Sequence, residues 1–169
     1  MKKAVIRVFL LGLLTPGFWF LVLNIRTAVV EWMRTPEYIS YKVKSVLAVY
    51  NLRFVAELVN ASALSKLFYN KTSIVANNSS EVLNLISPRT YFADSMVFGV
   101  WELIPFVFAP FWFLGVYRLI KGGRWKPFFM LFIFGIFGYL SGQRNVYFLL
   151  PAAVVYLYFV ERGLGMLYD

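Results

Sequence analysis

The 169-residue chain contains no cysteine and no histidine, and only 8 acidic side chains. Without cysteine there is no disulfide framework and no thiolate nucleophile. Without histidine there is no Ser-His-Asp triad and no histidine-held haem, and a Cys/His metal centre is excluded on both counts. No metal or cofactor is therefore expected. Any chemistry would fall to carboxylates, arginines, lysines, tyrosines or hydroxyls. Charge is also thin, at 15% of residues, where soluble domains carry about a quarter. The lack of cysteine does not choose a compartment.

Apolar residues take the space that charge leaves. The chain is 60% hydrophobic and 20% aromatic, with a mean hydropathy of +0.68. A soluble fold of this size has too little interior for so many Phe and Trp side chains. With the long uncharged runs, this predicts a single all-α integral membrane domain. The net charge of +9, from 17 Lys/Arg against 8 Asp/Glu, fits basic residues that flank spans and meet anionic headgroups. No separate soluble module carries a basic patch, so nucleic acid is not an expected partner.

Four spans are expected, with both ends cytoplasmic. Residues 4–23 follow "MKK" and read as a retained anchor, since no small-residue cleavage site follows them. Residues 96–120 form a second span, carrying Glu102 and two prolines, Pro105 and Pro110. Those prolines predict a bent or partly unwound helix, tolerated where protein or a wet cavity surrounds the break. The basic turn "RLIKGGRWKP" comes next and is placed in the cytoplasm by the positive-inside rule. Residues 125–140 and 146–160 complete the set, each reaching only about 23–24 Å. They either span with their ends in the headgroup layer or form a shallow re-entrant hairpin.

Residues 24–95 are then extracytoplasmic in a plasma membrane or its equivalent. Val43, Val46, Leu47, Tyr50, Phe54 and Leu58 recur at helical spacing, predicting an amphipathic helix that packs on the membrane domain or lies in the interface. The stretch from Asn70 to Ser95, rich in Asn and Ser, reads as loop. Asn60, Asn70, Asn77 and Asn78 each open an N-x-S/T triplet, which permits glycosylation where the machinery exists.

Intramembrane ionisable groups are candidate functional residues because a lone charge in lipid is costly. Glu102 has three readings: an ion pair with Arg144, a contact to a substrate or lipid headgroup, or a catalytic acid or base. Gln143, Arg144 and Asn145 stand together in "YLSGQRNVYFLLP", a polar turn between two greasy helices. Arg144 and Arg89 have the planar donor fork that suits a lipid phosphate. Gly138 and Gly142 form a small-xxx-small pair for close helix packing. Glu31 and Glu37 read as solvated loop residues, and Trp32, Trp101, Trp125 and Tyr147 as interfacial anchors.

The stretch "NLISPRTYFADSMVFGVWELIPFVFAPFWFLGVYRLIKGG", with "GYLSGQRNVYFLLPAAVVYLYFVERGLG" after it, resembles the later transmembrane part of GT-C-type glycosyltransferases. These are protein-O-mannosyltransferase-like enzymes that use polyprenyl-phosphate sugars. The likeness covers residues 84–165 and carries over Ser87, Pro88, Glu102, Pro105, Arg144 and Pro151, none as a catalytic acid or base. Such enzymes are several times longer and place catalytic acids in the first outer loop, where this chain has no matching acidic pair. The resemblance implies a non-catalytic accessory module that holds an anionic lipid or polyprenyl phosphate at the outer leaflet. The alternative is a structural subunit of a larger membrane complex, packed on other membrane subunits. A complete small membrane enzyme is the third reading.

Overall fold

The computed structural model describes residues 2–40, 73–93, 102–140 and 146–167. Among them there is no strand. The helices are α1 (Lys2–Leu13), α2 (Pro16–Leu23), α3 (Ile25–Met33), α4 (Ser73–Leu85), α5 (Pro88–Phe92), α6 (Ala109–Lys121), α7 (Lys126–Leu140) and α8 (Leu150–Leu164). The expected amphipathic helix over 41–68 lies outside the described residues, as do Gln143, Arg144, Asn145 and Gly142.

The core is built around α8. Its sequence, "LPAAVVYLYFVERGL", is apolar almost throughout. Pro151 sits in the first turn, where its missing N–H costs nothing. Arg162 sits in the last turn, where it complements the helix dipole. Helices α1, α6 and α7 pack around it, and Val154 is its one exposed residue. Tyr156 is fully buried. Its ring stacks on Tyr91 at 4.1 Å and on Trp112 at 5.4 Å. The two phenols also serve the backbone. Tyr91 Oη donates to Leu85 O at 2.7 Å, and Tyr156 Oη donates to Ile86 O. These carbonyls at the end of α4 have no partner within their own helix.

α6 and α8 cross at glycine. A Cβ on Gly115 would stand 1.8 Å from the Phe159 carbonyl oxygen, and one on Gly163 would stand 1.8 Å from that of Phe111. The backbones touch, so no side chain fits at either position.

Leu150–Leu167 is long and apolar enough to cross a membrane. The pair Ala4–Leu13 and Pro16–Leu23 passes the same test only if taken together, and it is bent by 81°. The expected span over 4–23, for which Pro16 predicts a kink, is therefore two helices. The break is chemically complete: Thr15 Oγ1 donates to Gly12 O at 2.7 Å and accepts the Phe18 N–H at 3.4 Å. One buried hydroxyl thus stops α1 and caps α2, and Pro16 takes the first helical position. Gly17 then lets Leu103 approach, its N–H donating to Leu103 O at 3.3 Å.

Within the second expected span, the two prolines have their anticipated effect. Among its described residues, 102–105 are not helical, Phe106–Phe108 form a 3-10 turn, and α6 is regular helix. Leu103 and Ile104 are buried, and Ile104 N–H donates to Tyr91 O at 3.0 Å. The unwound backbone is held by protein, as the polar groups freed by such a break require.

Two boundaries differ from expectation. The stretch read as loop contains α4 and α5, because Val82, Leu85 and Ile86 supply an apolar face to α7. Packing of that face outweighs the weak helix propensity of Asn and Ser. The last helix runs to Leu164, four residues past Val160, so Glu161 and Arg162 belong to it.

Candidate functional site

The structure gathers charge at one end of the helices. Arg7 comes from the second turn of α1, Arg118 from the last turn of α6, and Glu161 and Arg162 from the end of α8. With Leu10, Leu11, Leu14, Leu164 and Gly165 they line a cleft of about 720 Å³. α1 is antiparallel to α8, Arg7 lying beside Glu161 and Gly12 beside Leu157. The start of α1 therefore meets the ends of α6 and α8.

Glu161 is the buried member, with 5% of its surface exposed. Its Oε1 lies 3.6 Å from Arg7 Nη1 and its Oε2 lies 3.4 Å from Arg162 Nε. Ion pairing is therefore in place, yet Oε2 accepts no hydrogen bond. Arg162 Nε donates instead to Tyr158 Oη at 3.0 Å. Its guanidinium lies 4.9 Å from the centre of the Tyr158 ring, a cation–π contact that fixes the plane of the fork. Arg118 Nη1 donates to the Arg162 carbonyl at 3.4 Å, satisfying one of the carbonyls a helix leaves open at its end. Gly165 makes room for this guanidinium, since a Cβ there would stand 3.0 Å from Arg118 Nη1. Arg118 and Arg162 also border a smaller cleft of about 250 Å³ that includes Arg124.

Arg7, Arg118 and Arg162 share the large cleft with a single carboxylate, Glu161. This arrangement suits an anion. It offers no general acid–base pair, and no group of three Asp/Glu side chains able to hold a metal stands among the described residues.

The residues singled out from sequence lie elsewhere. Glu102 is half-buried, and its Oε2 accepts the Phe106 N–H at 3.0 Å, so it caps the turn that leads into α6. Arg89 is exposed on α5. Gly138 faces Leu85 of α4, whose Cδ1 would be 3.5 Å from an added Cβ, and Gly135 sits against Ile86. That α7 face is occupied by this chain's own α4. Glu31 accepts a hydrogen bond from Tyr38 Oη and pairs with Arg34 at 3.5 Å. The carboxylate holds the Tyr38 phenol above its ordinary value.

Sequence reasoning missed the arginine cleft. In the sequence Arg118 stands only as part of the basic topological turn. Glu161 fell one residue beyond the expected last span, because that span was ended at the first charge. The usable signal was the period: Ala153 and Leu157 are followed at the same four-residue step by Glu161, on the same buried face.

No family model matches the chain, and no curated protein or solved structure does so either.

Proposed function

We propose that the protein is a non-catalytic membrane module that holds an anionic ligand group in the cleft formed by Arg7, Arg118, Glu161 and Arg162. The observation that carries this reading is the convergence of three arginines from three helices on one leucine-walled cleft, around a buried carboxylate. Arginine forks match phosphate and carboxylate oxygens, and a partly desolvated site strengthens such bonds. In the proposed topology, the segments 4–23 and 96–120, with α7 and α8, traverse the bilayer. The arginine-bearing helix ends lie on the cytoplasmic side with the basic turn, as the positive-inside rule prefers. The proposed ligand then sits at the inner leaflet, where the sequence pattern alone suggests the outer one. Kinship with lipid-linked sugar transferases stays part of the proposal, supported by the residue pattern of 84–165 alone.

A second reading, an assembly subunit, draws on a different observation. Phe106, Val107, Phe113, Phe129 and Phe132 on the 3-10 turn, α6 and α7 are exposed, and they would face lipid or a partner helix. Native mass spectrometry of the full chain in mild detergent separates the two. A retained anionic ligand that is lost in Arg7→Ala and Arg118→Ala supports the cleft. A stoichiometric protein partner, with no arginine-dependent ligand, replaces it with the assembly reading.

A further inference from the structure

Resting on the proposed anion-holding cleft, we infer that its occupant is a polyol phosphodiester lipid: the phosphate on Arg7, a headgroup hydroxyl on Glu161, and a chain laid along α1. Glu161 carries the argument. It lines the cleft with 5% of its surface exposed, and it has charge partners without a hydrogen bond. Oε2 is sealed and accepts none. Oε1 lies toward Arg7, 3.6 Å from Nη1, which is longer than an N–H···O bond. A carboxylate has about four acceptor sites, so a closed Arg7 contact would still leave room for a further donor. The Arg7 side chain is 64% exposed, so Oε1 stands on the side from which a ligand enters. The cleft thus asks two things of one ligand, an anion for the arginine and a donor for the acid.

The donor has to be neutral. Arg7 Nη1 and Arg162 Nε stand 3.6 and 3.4 Å from the two oxygens of Glu161. An ammonium hydrogen-bonded to this acid would sit close to both guanidiniums, and like charges at such range repel. A choline headgroup has no donor at all, and a fully ionised phosphate without a headgroup brings none either. A hydroxyl donates without charge, and in a polyol headgroup it stands on the carbon beside the phosphate ester.

The wall of the cleft argues for an amphiphile over a soluble phosphodiester. From Arg7 the lining continues along α1 through Leu10 and Leu11 to Leu14, about 10 Å of apolar track at the helical rise. Leu10 and Leu14 are 54% and 67% exposed. A lipid chain laid there covers both.

The test uses the purified full chain in a nonionic detergent, with occupancy read by native mass spectrometry at pH 7. It is titrated with phosphatidylglycerol, phosphatidylethanol and phosphatidylethanolamine of one chain composition. The first two carry the same charge and differ in the headgroup hydroxyls. Phosphatidylglycerol is expected to bind about tenfold tighter than phosphatidylethanol, the effect of one hydrogen bond to a charged acceptor. Phosphatidylethanolamine is expected to bind more weakly than phosphatidylglycerol. Glu161→Gln should cut the ratio to about threefold, since a neutral acceptor makes a bond about half as strong. Should that variant fail to fold, the lipid comparison still decides, because it is made on the unaltered chain. Glycerophosphoglycerol, the same headgroup without chains, is expected not to displace the lipid at equal concentration. Equal, Arg7-dependent binding of phosphatidylglycerol and phosphatidylethanol overturns the inference and leaves the anion cleft standing, as does a preference that a folded Glu161→Gln variant leaves intact. Tighter binding of phosphatidylethanolamine overturns the neutral donor. Displacement by glycerophosphoglycerol overturns the chain along α1. Binding of none of the lipids, or binding indifferent to Arg7→Ala and Arg118→Ala, overturns both the inference and the proposed function.

Discussion

Gly12 and Gly115 are both helical glycines, and they answer to opposite physics. A Cβ on Gly115 meets a backbone carbonyl oxygen at 1.8 Å, and backbone cannot rotate aside as a side chain can. A Cβ on Gly12 meets only the Phe18 ring at 3.7 Å and Leu157 Cδ1 at 3.9 Å, ordinary van der Waals distances. Gly115→Ala, or Gly163→Ala, must push α6 from α8, and a loss of about 3 kcal/mol is expected. Gly12→Ala adds a contact and removes chain freedom from the unfolded state, so a gain of about 0.5–1 kcal/mol is expected. Thermal unfolding in one detergent, followed by tryptophan fluorescence, should move in opposite directions for the two substitutions. Equal and small shifts would show that the helices do not cross with backbones touching. The crossing also matters for the site. It lies one turn from Arg118 and next to Arg162, so it sets the distance between two of the three arginines.

At the scale of elements, the break between α1 and α2 shows what a sequence reveals and what it hides. Pro16 was visible, and a kink was expected from it. An 81° turn was not, because it depends on a contact 86 residues along the chain, where Gly17 N–H meets Leu103 O. Thr15 does the local work, capping one helix and closing the other. Thr15→Ala is expected to cost about 1 kcal/mol, the usual worth of an N-cap. Thr15→Ser should recover most of it, since the hydroxyl is what both contacts use. A Thr15→Ser variant as unstable as Thr15→Ala would show that packing of the buried methyl matters, with capping secondary. The same reasoning explains the other differences. The apolar runs of α7 and α8 are legible because a continuous greasy stretch needs no knowledge of its partner. α4 was not, because its asparagines and serines mask a face that only α7 completes. The cleft was least legible of all. Arg7 and Glu161 are far apart in sequence, and each alone looks like a basic or acidic residue at the edge of a greasy run.

For the molecule as a whole, the arginine cleft and the aromatic contacts define two opposite ends. Arg7, Arg118 and Arg162 mark one. The other is marked by Trp32, whose Nε1 donates to Tyr147 O at 3.0 Å, by Phe20 stacked on Tyr147 at 5.5 Å, and by Tyr38 against Phe148. Tyr147 and Phe148 precede α8, whereas Arg162 lies in its last turn. The 13 residues from Tyr147 to Phe159 alone rise about 20 Å. If α8 crosses the bilayer, residues at the two ends must therefore meet different aqueous compartments. The absence of native cysteine makes this directly measurable, since any introduced thiol is the only one. Lys121→Cys and Leu167→Cys, both exposed at the arginine end, should react with a membrane-impermeant maleimide only after the cells are opened. Glu37→Cys, exposed at the opposite end, should react in intact cells. Labelling of all three in intact cells, or of none before opening, would mean that α8 does not cross and that both ends share one compartment. The leaflet assigned to the ligand would then fall with the topology, while the anion cleft, which depends only on how α1, α6 and α8 pack, would keep its own separate test.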